Sequence, residues 1–179
     1  KSRLGFILKE DTLAGHLEIT EALHHSFSGT WEQIWGEDRI VENNYHEMTI
    51  RVQKTSTPKR KFNVVFRLFN DGFGFRYEFP EQEALKDFVI MDELTEFALT
   101  GDHKAWSIPY EAHFYEALYE ASPVSKLGWV STPLTMETND GLFLSIHEAN
   151  LTDYAAMNLI PKEGSMTLKA NLTPWSTGE

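Results

Sequence analysis

The chain contains no cysteine. Disulfide frameworks, thiolate zinc sites and a cysteine nucleophile are therefore excluded. Compartment stays open, because a cysteine-free chain suits cytosol and periplasm alike. Cations are scarce: 16 Lys and Arg stand against 27 Asp and Glu, for a net charge of −11, and the longest basic run is Lys59-Arg60-Lys61. Phosphate neutralisation needs clustered cations, so nucleic acid is not an expected partner, and anionic lipid is repelled for the same reason. No apolar run approaches the ~20 residues that cross a bilayer, so no membrane span is expected. Several motifs are also missing. There is no Asp-x-Asp-x-Asp-Gly loop, no His-x-His, no His-Glu-x-x-His and no Gly-x-Ser-x-Gly. The sequence thus lacks the signatures of EF-hands, zinc proteases and nucleophile elbows. Gly72-Phe73-Gly74 lacks the further glycine of a phosphate loop.

What is present reads as β structure. The length of 179 residues fits one domain with a sizeable core, and aromatics make up 13%. Phe62, Val64, Phe66 and Leu68 alternate with Asn63, Val65, Arg67 and Phe69. Asn70-Asp71-Gly72 follows, and then Phe73, Phe75, Tyr77 and Phe79 alternate with Gly74, Arg76 and Glu78. Alternation on both sides of an Asp-Gly pair predicts a hairpin whose tight turn uses positive φ angles. Two apolar faces of this size call for a second sheet. Met48, Ile50 and Val52 mark another strand, 88–99 a further one, and Met166, Leu168 and Ala170 a last one. Pro133 makes 129–137 an edge strand or a broken one. Frequent turns between many short strands predict an all-β, antiparallel sandwich. One segment dissents: 109–121 has Pro at a helix start and one apolar stripe, so a short helix competes there with an irregular loop.

The stretch 142–159 is the most informative for function. Leu142, Leu144 and Ile146 alternate with Phe143, Ser145 and His147, the period of two of a strand. The strand then stops at Glu148, which leaves a carboxylate at a strand end, a usual place for a ligand-facing side chain. Glu148 is an oxygen ligand of the kind calcium takes, but it supplies one ligand and not a site. With 27 acids, carboxylate pairs are available everywhere and single out nothing. His24-His25, His46-Glu47 and His147-Glu148 are nearest neighbours, so in a regular strand only one of each pair faces a given site. Trp31 and Trp35, with Gln33 and Glu37 between and beside them, could form a sugar-stacking face or help to cap a sandwich.

Taken in order, these segments resemble the N-terminal domain of glycoside hydrolase family 97. The run from Val64 to Pro80 is similar to its hairpin signature, and Ser2-Arg3-Leu4-Gly5-Phe6 to its early strand. Trp31 with Trp35-Gly36-Glu37, Asn44-Tyr45-His46-Glu47, Glu93-Leu94-Thr95-Glu96-Phe97 and Trp106-Ser107-Ile108-Pro109 follow in the family's order. Glu116 with Tyr119, Thr132-Pro133-Leu134-Thr135, and Ile146-His147-Glu148-Ala149-Asn150-Leu151 with Asp153-Tyr154 and Met157 complete it. The family is known for calcium-dependent α-glucosidases and α-galactosidases, mainly of gut and soil Bacteroidetes. The resemblance implies a β-super-sandwich of the galactose-mutarotase-like kind, normally followed by a (β/α)8 barrel that carries the catalytic acids. It implies that 1–179 is a single, partial N-terminal domain with no catalytic residue of its own. It implies that Glu148 is the one calcium ligand this domain lends to the active site, and that the domain shapes the pocket for an α-linked oligosaccharide. A periplasmic or secreted location is expected on the same ground. The other expectation kept open is a stand-alone carbohydrate-binding module that uses the Trp31–Trp35 region.

Overall fold

The computed structural model describes residues 1–111 and 116–174. The polypeptide packs as two compact units, one made of 1–14 and 88–179, the other of 15–87. Strands β1 (Phe6–Leu8) and β2 (Thr12–Leu13) begin the first unit. The second unit then contributes β3 (Leu17–Glu32), β4 (Ile40–Lys54), β5 (Lys61–Leu68) and β6 (Phe73–Glu78). The chain returns to the first unit with β7 (Ile90–Glu93), β8 (Glu96–Ala98), β9 (Lys104–Ser107) and β10 (Glu120–Pro123). It ends with β11 (Val130–Ser131), β12 (Leu134–Glu137), β13 (Phe143–Ile146), β14 (Met157–Pro161) and β15 (Thr167–Leu172). Every pairing is antiparallel. Apart from strands there are short 3-10 turns at Glu83–Leu85 and Val124–Lys126.

In the first unit, one four-stranded sheet runs in the order β10-β9-β12-β13 and another in the order β11-β14-β15-β8. A small sheet, β2-β1-β7, accompanies them. The two larger sheets share one core of Ala105, Val130, Leu134, Met136, Leu159 and Leu168, together with Val124. The reason lies in the pleat. Leu134 and Met136 are buried while Thr135 and Glu137 between and after them are not, and Leu168 and Ala170 flank the partly exposed Lys169 in the same way. Each fully buried Leu stabilises the sandwich by ~2 kcal/mol relative to an exposed one. This is the sandwich the alternation predicts. The long 88–99 segment becomes two strands in different sheets, β7 and β8, because the chain switches sheets at Leu94-Thr95. Pro133 likewise separates β11 from β12, and β11 is an edge strand of its sheet.

The second unit is one sheet in the order β3-β4-β5-β6. Burial falls steeply across it. On β5, Phe62, Val64 and Val65 are buried, whereas nearly every residue of the 16-residue β3 is exposed. A register shift between Ile19 and Glu21 bulges β3, and past the bulge Leu23, Phe27 and Trp31 share one face. On that face Phe27 stacks on Tyr45 with ring centroids 5.5 Å apart, and the Arg67 guanidinium lies 4.3 Å from the Tyr45 ring centroid. Gly29 leaves room for the arrangement, since a Cβ there would come within 3.0 Å of the Phe27 ring.

One expectation needs correction, and another falls partly outside the described residues. The β5–β6 hairpin is present, with Leu68 paired to Phe73, but its turn is not a tight one with positive φ. Phe69 and Gly72 close the turn, the Phe69 N–H donating to the Gly72 carbonyl at 2.8 Å, and none of Asn70, Asp71 and Gly72 adopts a left-handed conformation. Gly72 closes the turn instead of standing inside it, so the conformational freedom of glycine is not used there. The short helix over 109–121 falls partly on residues 112–115, which lie outside the described residues. Of the rest, Pro109 makes an isolated bridge to Val130, and Glu120 and Ala121 open β10, paired with Ser107 and Trp106. Sheet pairing there overrides a weak helical propensity.

Candidate functional site around Glu148

β13 holds its place through β12, with Ile146 opposite Leu134 and Leu144 opposite Met136. The strand stops at Ile146, and His147 and Glu148 lead into the connection to β14. His147 turns back on its own backbone: its Nδ1 lies 3.0 Å from the Glu148 carbonyl oxygen. Glu148 is half-buried. Burial raises its carboxyl pKa above the ordinary glutamate value, because partial desolvation penalises the charged form. The Met157 backbone N–H donates toward the carboxylate and works the other way, while the charge of Glu93 nearby adds to the rise. A carboxylate that is both desolvated and faced by a second carboxylate is one a cation would stabilise.

Glu93 is the last residue of β7, opposite Phe6 of β1. It is buried. The Thr95 hydroxyl donates to its Oε1 at 2.6 Å, and the Tyr154 hydroxyl to its Oε2 at 2.8 Å. The acids on either side of it are treated differently. Lys169 Nζ is 2.6 Å from Asp92, and Lys162 Nζ is 2.7 Å from Glu96. Two of three neighbouring carboxylates thus have ammonium partners, while Glu93 is held by neutral hydroxyls.

The donor set fits a hard, oxygen-binding cation in part. Calcium takes about six to eight oxygens, and among the described residues no group of three or more His, Cys, Asp or Glu is placed to hold a metal. Glu148 offers one carboxylate to such an ion, and other ligands must come from elsewhere. Glu93 and Tyr154 stand 61 residues apart in sequence, so alternation and spacing gave no sign of their contact. The only local hint is an acid closing an apolar strand.

Trp31 and Trp35 belong to the other unit. Trp31 lies on β3 and Trp35 in the β3–β4 connection, so their i, i+4 spacing is not that of a helical face. They are 50% and 85% exposed, which removes the expectation that they cap a core within this chain. Gly36 shapes the tip, with φ of 127° and the Gln33 amide 2.5 Å from where a Cβ would stand.

The fold and site define an all-β, antiparallel sandwich with a carboxylate on the connection after one strand. Comparison with known proteins says of which class: the family model described as glycosyl-hydrolase 97 N-terminal matches residues 1–177. The chain belongs to that family, the N-terminal domains of family 97 glycoside hydrolases. The structure of a family 97 enzyme from Pseudoalteromonas sp. strain K8 is 38% identical, with a TM-score of 0.94, covering 99% of this chain and 27% of that one. Structures of a family 97 enzyme from the same strain in complex with panose and with acarbose match with a TM-score of 0.93. A retaining alpha-galactosidase of Bacteroides thetaiotaomicron is 27% identical over 150 residues, which are 75% of this chain and 21% of that protein. The chain therefore spans about a quarter of the length of the relatives it matches. No helix among the described residues is long and apolar enough to cross a membrane.

Proposed function

We propose that this domain is the non-catalytic N-terminal part of a calcium-dependent, exo-acting α-glycosidase, an α-glucosidase or α-galactosidase. Glu148 is its contribution to the calcium ion, and the domain helps to shape the pocket for an α-linked oligosaccharide. The observation that carries this reading is the state of Glu148: half-buried, beyond a strand end, with Glu93 beside it. Such a carboxylate gains from a cation. The family membership over 1–177 and the sugar complexes of the Pseudoalteromonas relative support the glycosidase context. The catalytic acids then belong to a (β/α)8 domain of the same protein, and the 179 residues alone are inactive. Bound calcium would supply positive charge for substrate hydroxyls and for the environment of the general acid. The protein works outside the cytoplasm, in the periplasm or secreted, where such oligosaccharides are met.

The test is Glu148→Ala in the complete enzyme. The calcium dissociation constant rises by about tenfold or more, and turnover falls with it. Calcium affinity equal to that of the unaltered enzyme would remove Glu148 from the site.

A second reading has its own observation. The exposure of Trp31 and Trp35 fits a stand-alone carbohydrate-binding module. Calorimetric titration of the 179-residue chain with maltose- and galactose-type sugars separates the two, since binding tighter than about millimolar favours the module.

A further inference from the structure

Residues 147–156 join β13 to β14 and carry Glu148 near one end and Tyr154 near the other. Between Glu148, whose carboxylate accepts the Met157 N–H, and Ala156, whose carbonyl accepts the Thr173 N–H, residues 149–154 are exposed and belong to no ladder. Asp153 sits at φ 52°, in the left-handed region that residues other than glycine enter at a cost, so a definite conformation is being enforced. Thr152 Oγ1 donates to Asn150 Oδ1 at 2.8 Å, which ties the loop only to itself. Tyr154 reaches out of it. Its hydroxyl donates to Glu93 Oε2 at 2.8 Å, and Glu93 stands on a paired strand with its other oxygen taken by Thr95 Oγ1 at 2.6 Å. The carboxylate cannot rotate without breaking one of these bonds. A buried acid with both oxygens bonded in this way is a rigid anchor.

We infer that the Thr95–Glu93–Tyr154 hydrogen-bond chain is a clamp that fixes the pose of the Glu148 loop, making Glu93 and Tyr154 positioning residues for the cation. The cation half of this inference rests on the proposed role of Glu148. The clamp itself is a property of this chain. Orienting groups of this kind hold a ligand's pose as surely as the ligand's own backbone does. Tyr154 acts through the loop and Glu93 through Tyr154, so neither need touch the ion.

Two measurements test it. The first is hydrogen–deuterium exchange of the 179-residue chain, without calcium. Tyr154→Phe removes one oxygen atom and should speed exchange across 147–157 by about tenfold, with β12 and β15 unchanged. Thr95→Val should act in the same direction, and Thr95→Ser, which keeps the hydroxyl, should restore the original rate. Loop exchange unaltered in Tyr154→Phe overturns the clamp. The second is calcium titration of the complete enzyme, where Tyr154→Phe should raise the calcium dissociation constant by about tenfold. If Glu148→Gln weakens calcium and Tyr154→Phe does not, the positioning role is overturned while the ligand stands. If Glu148→Gln has no effect either, the ligand reading falls and takes the cation role of the clamp with it.

Discussion

The core between the β9–β12 and β14–β15 sheets and the β3–β4 hairpin are built from the same pleat and serve opposite ends. In the core, Leu134, Met136, Leu159 and Leu168 have no exposed surface. On the hairpin, Leu23, Phe27, Trp31, Ile34, Trp35 and Ile40 all remain exposed. The hairpin is not loosely made for that. Fifteen register pairs join β3 to β4, the Glu21–Arg51 ion pair at 2.5 Å crosses it, and Glu47–Arg67 at 2.7 Å ties β4 on to β5. The difference teaches that burial holds the sandwich, whereas backbone pairing holds the hairpin and leaves its aromatic face open. Side-chain deletions should therefore cost much in one region and little in the other.

The largest effect is expected at the centre of the core. Leu134→Ala removes a side chain with 0% exposure, packed in a cluster drawn from both sheets. The cost should be about 3 kcal/mol, the sum of lost transfer energy and the cavity left behind. Urea unfolding of the 179-residue chain measures it as a lowered midpoint at constant slope. A loss below about 1 kcal/mol would mean that the core relaxes into the space and the contrast with the hairpin is weaker than its burial indicates.

How far the sequence carried the argument follows the same division. Where one face is buried the strand is legible, as at Phe62 and Val64 on β5 and Leu168 and Ala170 on β15, while β6 and β13 alternate in sequence although none of their residues is buried. Where both faces are exposed, as along β3, no such pattern distinguishes inside from outside, and the longest strand of the molecule leaves only the bare Trp31 to notice. Turn chemistry misled at residues 69–72, because Asp-Gly permits a turn with positive φ without requiring one. Glu148 was legible as an acid past a strand end, since the alternation of Leu142, Leu144 and Ile146 stops there. Glu93 and Tyr154 were not, because a contact between a strand end and a distant loop exists only once the sheets are assembled.

A smaller effect, and one that depends on pH, is expected at the margin of the sandwich. Asp102 Oδ1 accepts the Ser125 backbone N–H at 2.8 Å, and its Oδ2 accepts the Ser125 hydroxyl at 2.7 Å. The backbone bond, then the hydroxyl, hold its pKa below the ordinary value of 3.8. A carboxyl depressed in the folded state stabilises above its unfolded pKa and loses that contribution as pH falls through the folded one. Asp102→Asn should accordingly melt below the unaltered chain at pH 7, and the gap should close as pH falls below the ordinary value of 3.8. A gap that stays constant across this range would show that the amide fails for reasons of shape and not of charge.

The smallest effect is expected on the hairpin. Trp31→Ala deletes the largest side chain type from a position that is half exposed and, in β3, opposite Val41. Substitutions outside a packed core usually stay within about 0.5 kcal/mol, and the lost cross-strand contact with Val41 adds a few tenths. The change in urea midpoint should therefore be several-fold smaller than for Leu134→Ala, although more atoms are removed. A cost comparable to that of Leu134→Ala would place Trp31 in a core and break the comparison. With a small cost the variant stays folded, so any sugar heat that Trp31→Ala abolishes in the calorimeter can be charged to the aromatic face itself. A hairpin that keeps its strand pairing when its aromatic residues are removed one at a time is held by its backbone, and its exposed rings are then free to serve contact instead of stability.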